Sequence, residues 1–223
     1  MERDPADHDT HHTQLERSQR IWDFWSSRDW FWELVERDIT SLRADAVSHL
    51  GLDRGDSVLD VGCGPGTNFS LLRETVGPDG LVLGIDYSPK MVQKAQQKID
   101  IHGWEDVKII HADATRVSLE QERFDGAIAT STVSVMPNIQ AVLDTVYETL
   151  RPDTRFVLYD VRLVPTGPAR IFNPLLSRSY RFFGNWNAEE DVLDELRLVF
   201  DEITVVRTFA LGTNYVVVAN KTS

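Results

Sequence analysis

The chain has 223 residues, of which 42% are hydrophobic, which is enough for one globular domain with a full core. Its net charge of −12 repels the phosphates of a nucleic acid, so a DNA or RNA substrate is disfavoured. Cys63 is the single cysteine, which excludes an internal disulfide. No apolar run is long enough for a membrane helix, and the acidic start of the chain does not resemble a secretory signal, so we expect a cytoplasmic protein.

The acidic residues are mostly aspartate, 22 of 35, and only 5 of the 23 basic residues are lysine. An aspartate-rich and lysine-poor surface resembles that of proteins from a salt-rich cytoplasm. One hypothesis is therefore a halophilic source, and the alternative is an ordinary acidic enzyme. The dependence of thermal stability on KCl concentration separates the two.

The N-terminal part of the chain has two sections. Residues 1–18 are polar, acidic and without periodicity, so we expect a disordered tail. Its three histidines, at positions 8, 11 and 12, have no further ligands at metal spacing, and we expect no metal site. Residues 19–50 have a helical apolar pattern and predict an N-terminal helical cover of one or two helices. Four of the six tryptophans, Trp22 and Trp25 among them, lie there within eleven positions.

The chain then alternates between strand-like and helix-like segments. The predicted strands are 57–61, 81–85, 107–110, 124–130, 155–161, 202–208 and 213–219. The predicted helices are 67–76, 89–101, 138–150 and 188–199. This order predicts an α/β fold in which helices cover both faces of a mostly parallel seven-stranded sheet. The last two strands follow each other closely, so we expect the last strand to be antiparallel.

Residues 162–187 interrupt the alternation and contain four arginines but no acidic residue. A helix over 169–183 would be amphipathic and cationic, and Pro174 predicts that it splits into two pieces. One side would carry Ile171, Phe172, Leu175, Leu176, Phe182 and Phe183, and the other Arg170, Asn173, Ser177 and Arg181. Such a segment would form a lid over an apolar acceptor or rest on an anionic membrane surface. The alternative is an ordinary core-packing insertion.

The segment VLDVGCGPG, residues 58–66, follows the first strand with glycines at every second position: Gly62, Gly64 and Gly66. Ligands of open parallel sheets bind at the carboxyl ends of the strands, where this loop lies. A dinucleotide fingerprint would need glycine instead of Thr67, and a P-loop would need a lysine after the last glycine, so neither pattern matches. Asp60 at the head of the loop disfavours a pyrophosphate and suits a cationic group.

Asp86 ends the second strand, 20 positions after Gly66, which is the spacing that places a carboxylate on a ribose diol. A ligand with a ribose and a cationic group, and without a required phosphate, fits both acids. S-adenosylmethionine meets these conditions.

The sequence resembles the class I S-adenosylmethionine-dependent methyltransferases over about 50–161. The motifs that carry the resemblance are VLDVGCGPG, GIDYS at 84–88, HADAT at 111–115, FDGAIATSTVSVMPN at 124–138 and LRPDTRFVLYDV at 150–161. The resemblance implies a Rossmann-like fold and S-adenosylmethionine as the cofactor. It implies a single methyltransferase domain over 19–223, with the cofactor-binding core at 51–161 and the last helix and strands at 188–223.

The resemblance also implies roles for single residues around the methionine and ribose parts of the cofactor. The three glycines would let the backbone approach the methionine, Asp60 would favour its ammonium group, and Asp86 would bind the ribose hydroxyls. The alternative for Asp86 is a helix N-cap. Cys63 is interpreted as a small loop residue, because arsenite-type methyltransferases need several cysteines.

Around the adenine, the resemblance implies that Tyr87 flanks the ring and that Asp113, with Ala114 beside it, accepts from the amino group. Thr130, after the fourth strand, would face the methionine or the substrate. The alternatives are surface packing for Tyr87 and a turn for Asp113.

No motif marks a catalytic base. Asp160 and Tyr180 are weak candidates, with structural or substrate-positioning roles as the alternative, and Trp22, Trp25, Arg170 and Tyr180 are candidates for substrate binding. The helical cover and the aromatic insertion loosely resemble the quinone-biosynthesis and phospholipid N-methyltransferase branch. This favours a small or lipid-like acceptor that is apolar with a polar or anionic group. The alternatives are a soluble small-molecule O- or N-methyltransferase and a non-catalytic cofactor-binding or scaffold protein.

Overall fold

The architecture is a central sheet with helices on both faces. A computed structural model describes residues 5–26, 28, 41–186 and 191–222. The strands are β1 Ser57–Val61, β2 Leu81–Asp86, β3 Val107–His111, β4 Phe124–Thr130, β5 Leu150–Val161, β6 Glu202–Phe209 and β7 Asn214–Lys221. The helices are α1 Pro5–Ser26, α2 41–48, α3 Phe69–Val76, α4 Pro89–His102, α5 Ile139–Thr149, α6 Asn173–Gly184 and α7 Val192–Val199. Short 3₁₀ turns lie at Val133–Val135, Pro168–Phe172 and Ala210–Gly212.

The sheet has seven strands in the order β3-β2-β1-β4-β5-β7-β6. Strands β1 to β5 pair in parallel, and β7 is antiparallel to both of its neighbours, β5 and β6. The predicted α/β fold, with seven mostly parallel strands and an antiparallel last strand, is confirmed. In this order the chain reverses its direction of winding beside β1 and β4, so the carboxyl ends of these two strands flank a crevice for a ligand.

The core has two layers because the central strands are buried on both faces. Leu59 of β1 packs in a cluster with α5 and α7, whereas its neighbour Val58 packs in a second cluster with α2, α3 and α4. Successive side chains of a strand point to opposite faces, so a run such as SVLDV must be apolar on both sides. This burial holds the carboxyl ends of β1, β2 and β4 in fixed positions.

Helix α1 differs from the expectation for the N-terminus. It begins at Pro5, so the expected disordered tail does not extend over 5–18; residues 1–4 lie outside the described part. Leu15 and Ser18 are buried and Trp22 is partly buried, and their spacing of three and four places them on one face of the helix. That face packs toward α4 and α6, and these long-range contacts explain why the local sequence gave no sign of order.

The insertion after β5 splits as predicted, and its helix presents large apolar side chains to solvent. The 3₁₀ turn ends at Phe172, and Pro174 falls in the first turn of α6, where its missing N–H is tolerated. Asn173 points inward: it accepts from the Val164 backbone N–H at 3.0 Å and donates to the Val164 carbonyl at 3.1 Å. Leu175 is consequently 68% exposed.

Within the described residues, no helix has the length and apolar character needed to cross a membrane. Residues 187–190, the start of the predicted last helix, lie outside the described part. The visible helix begins at Val192, where the Asp191 carboxylate accepts from the Leu193 backbone N–H at 2.9 Å and caps it.

Candidate functional site

A cavity of about 250 Å³ lies at the carboxyl ends of β1, β2 and β4. Lining residues within 62–67, 86–91 and 130–132, which come directly at or after the strand ends, form the strand side, and those of α1, Arg43 and residues 135–137 form the other side. The lining residues are Leu15, Ser18, Gln19, Trp22, Arg43, Gly62, Cys63, Gly64, Pro65, Thr67, Asp86, Tyr87, Ser88, Met91, Thr130, Ser131, Thr132, Val135, Met136 and Pro137. The location is the one that the glycine loop predicted.

Two of the three glycines in the loop have no room for a side chain, and the third borders open space. Gly62, Gly64 and Gly66 have φ angles of +62°, +57° and +75°, which side chains rarely adopt. A Cβ at Gly62 would lie 2.1 Å from Thr132 Oγ1, and one at Gly66 would lie 2.6 Å from the Phe69 ring. At Gly64 nothing lies within 4 Å, so this glycine leaves free space where the loop borders the cavity.

Asp86 stands at the end of β2 and ties two walls of the cavity together. One carboxylate oxygen accepts from the Gly64 backbone N–H at 2.8 Å, and the other accepts from the Ser88 backbone N–H at 2.8 Å. Burial raises its pKa, and the hydrogen bonds from Ser88 and Gly64 oppose this rise. Each oxygen retains a free lone pair, so the carboxylate can also accept from two hydroxyls of a ligand. The helix N-cap of α4 is Ser88 and not Asp86.

Asp60 is buried directly behind the cavity wall. Asn68 donates one hydrogen bond to Asp60 Oδ1 at 3.0 Å and one to Thr130 Oγ1 at 3.2 Å, and Thr130 lines the cavity. Among the described atoms, Asp60 Oδ2 and Asn68 Oδ1 are buried without a hydrogen-bond partner. Burial raises the pKa of Asp60 to about 7, although Asn68 and the positive charge of Arg43 act in the opposite direction.

These features fit S-adenosylmethionine. Two carboxylates whose pKa values are raised by burial favour a ligand that brings positive charge, because a cation stabilises their ionised form. A sulfonium with an ammonium group supplies this charge, and the free lone pairs of Asp86 suit a ribose diol. A pyrophosphate would place negative charge beside the same acids. The open space at Gly64 leaves room for the ligand to approach the backbone.

The structure places the remaining predicted cofactor residues in two groups. Thr130 and Tyr87 line the cavity, together with the predicted glycines Gly62 and Gly64. Asp113 and Ala114 do not line it: the Asp113 carboxylate accepts from the backbone N–H and hydroxyl of Thr115 at 2.9 and 2.7 Å, as a turn former does. Ala114 is buried in the core. The adenine roles of this pair stay a prediction.

Neither candidate base lines the cavity. Asp160 is fully buried, and its carboxylate accepts from the Ser134 N–H at 2.9 Å, the Ser134 hydroxyl at 2.6 Å and the Val161 N–H at 2.8 Å. Burial raises its pKa to about 6. It anchors the turn that carries Val135 and Met136 into the cavity wall. The Tyr180 ring packs edge-on against Trp186 at 5.9 Å.

Of the four candidates for acceptor binding, one lines the cavity and three do not. Trp22 lines the cavity, whereas Trp25 packs edge-on against Phe24 at 5.3 Å, outside the lining. Arg170 is exposed on the 3₁₀ turn before α6. Among the residues whose side chains are described, which do not include the three N-terminal histidines, no acidic, histidine or cysteine cluster could hold a metal ion.

Several lining residues were not predicted from the sequence. Leu15 and Ser18 lie in the stretch 1–18 that was expected to be disordered, and Gln19 is the first residue of the predicted helical cover; their spacing on α1 was the available signal. Arg43 is charged and only 6% exposed, and it belongs to no sequence motif that could have predicted its position. Asp23 was also missed; it accepts from the Ser88 hydroxyl at 2.7 Å and joins α1 to the start of α4.

Comparisons with known proteins agree with this geometry. A family model described as a methyltransferase domain matches residues 52–199. An arsenite methyltransferase of Halobacterium salinarum is 34% identical over 114 residues, which cover 51% of this chain and 29% of that protein. A demethylmenaquinone methyltransferase of a Geobacillus species is 30% identical over 115 residues, 52% of this chain and 49% of that protein. The chain thus spans half or less of the length of these relatives.

Solved structures extend the likeness beyond the matched core. A complex of the Haloferax volcanii Trm112 methyltransferase activator with a methyltransferase gives a TM-score of 0.69 at 16% identity, over 92% of this chain and 97% of that chain. A SAM-dependent methyltransferase from Aquifex aeolicus gives 0.57 at 20% identity, over 82% and 97%. The chain therefore belongs to the methyltransferase-domain family, with the class I fold and the S-adenosylmethionine cofactor that the sequence predicted.

Proposed function

We propose that this domain transfers the methyl group of S-adenosylmethionine to a small or lipid-like acceptor that is apolar but carries a polar or anionic group. The observation that carries the proposal is the unequal lining of the cavity. Its strand side presents the glycine loop and Asp86, whereas its other side presents the apolar side chains Leu15, Trp22, Val135, Met136 and Pro137. A cationic nucleoside suits the first side, and an apolar acceptor suits the second.

On the strand side, Asp86 would bind the ribose and the open backbone at Gly64 would contact the methionine part. Asp60 would act through its charge, because it lies behind Asn68 and Thr130. Tyr87, whose ring centroid is 6.1 Å from that of His111, would flank the adenine. These roles rest on hydrogen bonds, burial and position at the strand ends.

The bound cofactor supplies a methyl group on a positively charged sulfur, which is already a good leaving group. The protein's part is to hold the acceptor in line and to exclude water. Among the described residues that line the cavity, the titratable side chains are Arg43, Cys63, Asp86 and Tyr87, so no histidine, lysine or glutamate is placed as a base. We infer that the acceptor brings a nucleophile that needs little help to lose its proton, such as an acidic enol or phenol.

The two relatives point to different acceptors. The Halobacterium relative is named an arsenite methyltransferase. Arsenite chemistry depends on thiolates, however, and this chain has a single cysteine. Cys63 is 2% exposed, and burial raises the pKa of its thiol well above the usual value. The Geobacillus relative is named a demethylmenaquinone methyltransferase, and a quinone-like acceptor agrees with the apolar side chains of the cavity lining. A quinol-type acceptor is therefore favoured.

The test is formation of S-adenosylhomocysteine with a panel of single acceptors: a short-chain demethylated quinol, a small phenol, phosphoethanolamine and arsenite. We expect turnover with the quinol and little or none with arsenite. The variant Trp22→Ala should raise the KM for the acceptor and leave cofactor affinity within about twofold, because Trp22 lies on the apolar side. Leu198→Ala, a substitution of a residue that is 72% exposed, is the matched control. Cofactor binding without turnover for any acceptor would indicate a binding protein, and turnover confined to the small phenol would indicate a soluble O-methyltransferase.

A further inference from the structure

Helix α6 and the turn before it expose large apolar side chains to solvent. The exposed fractions are 77% for Ile171, 59% for Phe172, 68% for Leu175 and 74% for Phe182. Arg178 and Arg181 are exposed on the same helix face. We call this surface the α6 face; it consists of Ile171, Phe172, Leu175, Arg178, Arg181 and Phe182. Clustered exposed apolar residues of this size mark an interaction surface in most monomeric proteins.

The inner side of the helix is the polar one, and it is held firmly in place. Asn173 makes two hydrogen bonds to the backbone of Val164. At the other end, Asn185 caps the helix in a left-handed conformation and donates to the Ser18 hydroxyl of α1 at 2.7 Å. The apolar side chains therefore face outward because polar contacts fix the orientation of the helix.

The charge of this region is opposite to that of the rest of the protein. Residues 162–187 contain four arginines and no acid, in a chain with a net charge of −12. Arg17 of α1 lines an open groove of about 670 Å³ together with Arg178 and Arg181, and Leu175 and Phe182 also line it. Three guanidinium groups beside apolar side chains match the arrangement of lipid phosphates above acyl chains.

We propose that the α6 face docks the protein on an anionic phospholipid membrane surface. The apolar residues enter the headgroup region, and the arginines contact phosphates. The net negative charge of the chain opposes contact through other faces, so docking has one orientation. Ser18, which holds the end of α6, also lines the cavity, so the docked orientation brings the α1 wall of the cavity close to the lipid. An acceptor dissolved in the membrane would then have a short path to the site.

The test is cosedimentation of the whole protein with phosphatidylglycerol vesicles and with phosphatidylcholine vesicles, without cofactor or acceptor. We expect binding to the anionic vesicles that weakens as KCl increases. The variant Arg178→Gln/Arg181→Gln should weaken the partition constant about 30-fold, since each basic residue near such a surface contributes about fivefold. Leu175→Ser/Phe182→Ser should weaken the partition constant at low and at high KCl alike, because salt does not screen the insertion of apolar side chains.

Two matched controls carry the same changes on other surfaces. Arg123→Gln/Arg197→Gln removes the same charge from exposed side chains, and Ile101→Ser/Leu198→Ser removes exposed apolar residues of α4 and α7. Both should bind vesicles like the wild type, and the circular dichroism melting curves of all four variants should agree. Equal weakening by the control variants, or no binding to anionic vesicles, would overturn the proposal. Displacement by millimolar glycerol phosphate would also overturn it, since it would identify a site for a free phosphate. Because no turnover is measured, this result is independent of the acceptor proposed above.

Discussion

The charge of Asp60 makes a sharp prediction about cofactor binding. Its pKa of about 7, against an ordinary value of 3.8, means that ionising the buried carboxyl costs about 4 kcal/mol more than in water. In the ligand-free protein about 3% of Asp60 is ionised at pH 5.5 and about 75% at pH 7.5. If the cationic cofactor binds the ionised form, its affinity should rise about 25-fold over this range.

The assay is calorimetric titration with S-adenosylmethionine between pH 5.5 and 7.5, a range that ends just below the usual pKa of an α-amino group, so that most of the ligand keeps its ammonium charge. The variant Asp60→Asn keeps the shape and the acceptor for Asn68 but removes the charge. Its affinity should equal that of the wild type at pH 5.5 within a few-fold and should not rise with pH. An equal rise in the variant would refute the role of Asp60.

The stability of the ligand-free protein should change in the opposite sense. A carboxyl with a raised pKa in the folded state loses stability as the pH increases from its unfolded value of 3.8 to its folded value of about 7. Wild-type protein should therefore become less stable relative to Asp60→Asn across this window, by up to about 4 kcal/mol in urea denaturation. A difference that is constant with pH would show that Asp60 is not buried as an acid.

Three further predictions concern the loop, the ribose site and the surface. Asp86→Asn should weaken the binding of S-adenosylhomocysteine at least tenfold in calorimetry and should remove the preference for this ligand over its 2′-deoxy analogue. A retained preference would exclude Asp86 as the ribose ligand. Gly62→Ala, which would clash with Thr132, should lower the free energy of unfolding by about 2–4 kcal/mol, whereas Gly64→Ala should cost about 1 kcal/mol but reduce cofactor affinity at least tenfold. Equal stabilities of these two variants would contradict the packing described at the loop. The thermal midpoint should rise with KCl into the molar range if the net charge of −12 reflects a salt-adapted surface, and a flat response would favour an ordinary acidic enzyme.

The cofactor side of the site could be predicted from the sequence because it depends on local signals. Glycines at every second position require a backbone that only glycine adopts, and an acid at the end of β2 has a fixed spacing from them. Parallel strands buried on both faces are also visible as short apolar runs between helices. The partnership of Asp60 with Asn68 could not be seen, because it depends on how α3 begins beside β4.

The acceptor side could not be predicted because it depends on contacts between distant segments. Leu15 and Ser18 look like part of a polar tail until α4 and α6 pack against them. The sequence left open whether the apolar side of α6 forms a lid, rests on a membrane or packs in the core, and the hydrogen bonds of Asn173 to Val164, which turn this side to solvent, depend on a distant segment. The buried Arg43 follows no motif, and only the folded structure places it at the cavity.

Transfer of an isotopically labelled methyl group is the most direct test of methyl transfer to an apolar acceptor. The protein would be incubated with methyl-labelled S-adenosylmethionine and a short-chain demethylated quinol, and the organic extract would be analysed by mass spectrometry. We expect labelled methyl on the quinol in a one-to-one ratio with S-adenosylhomocysteine, and a loss of both products in Asp86→Ala. Label that remains in unreacted cofactor, under conditions where calorimetry shows that cofactor and acceptor are bound, would contradict this expectation.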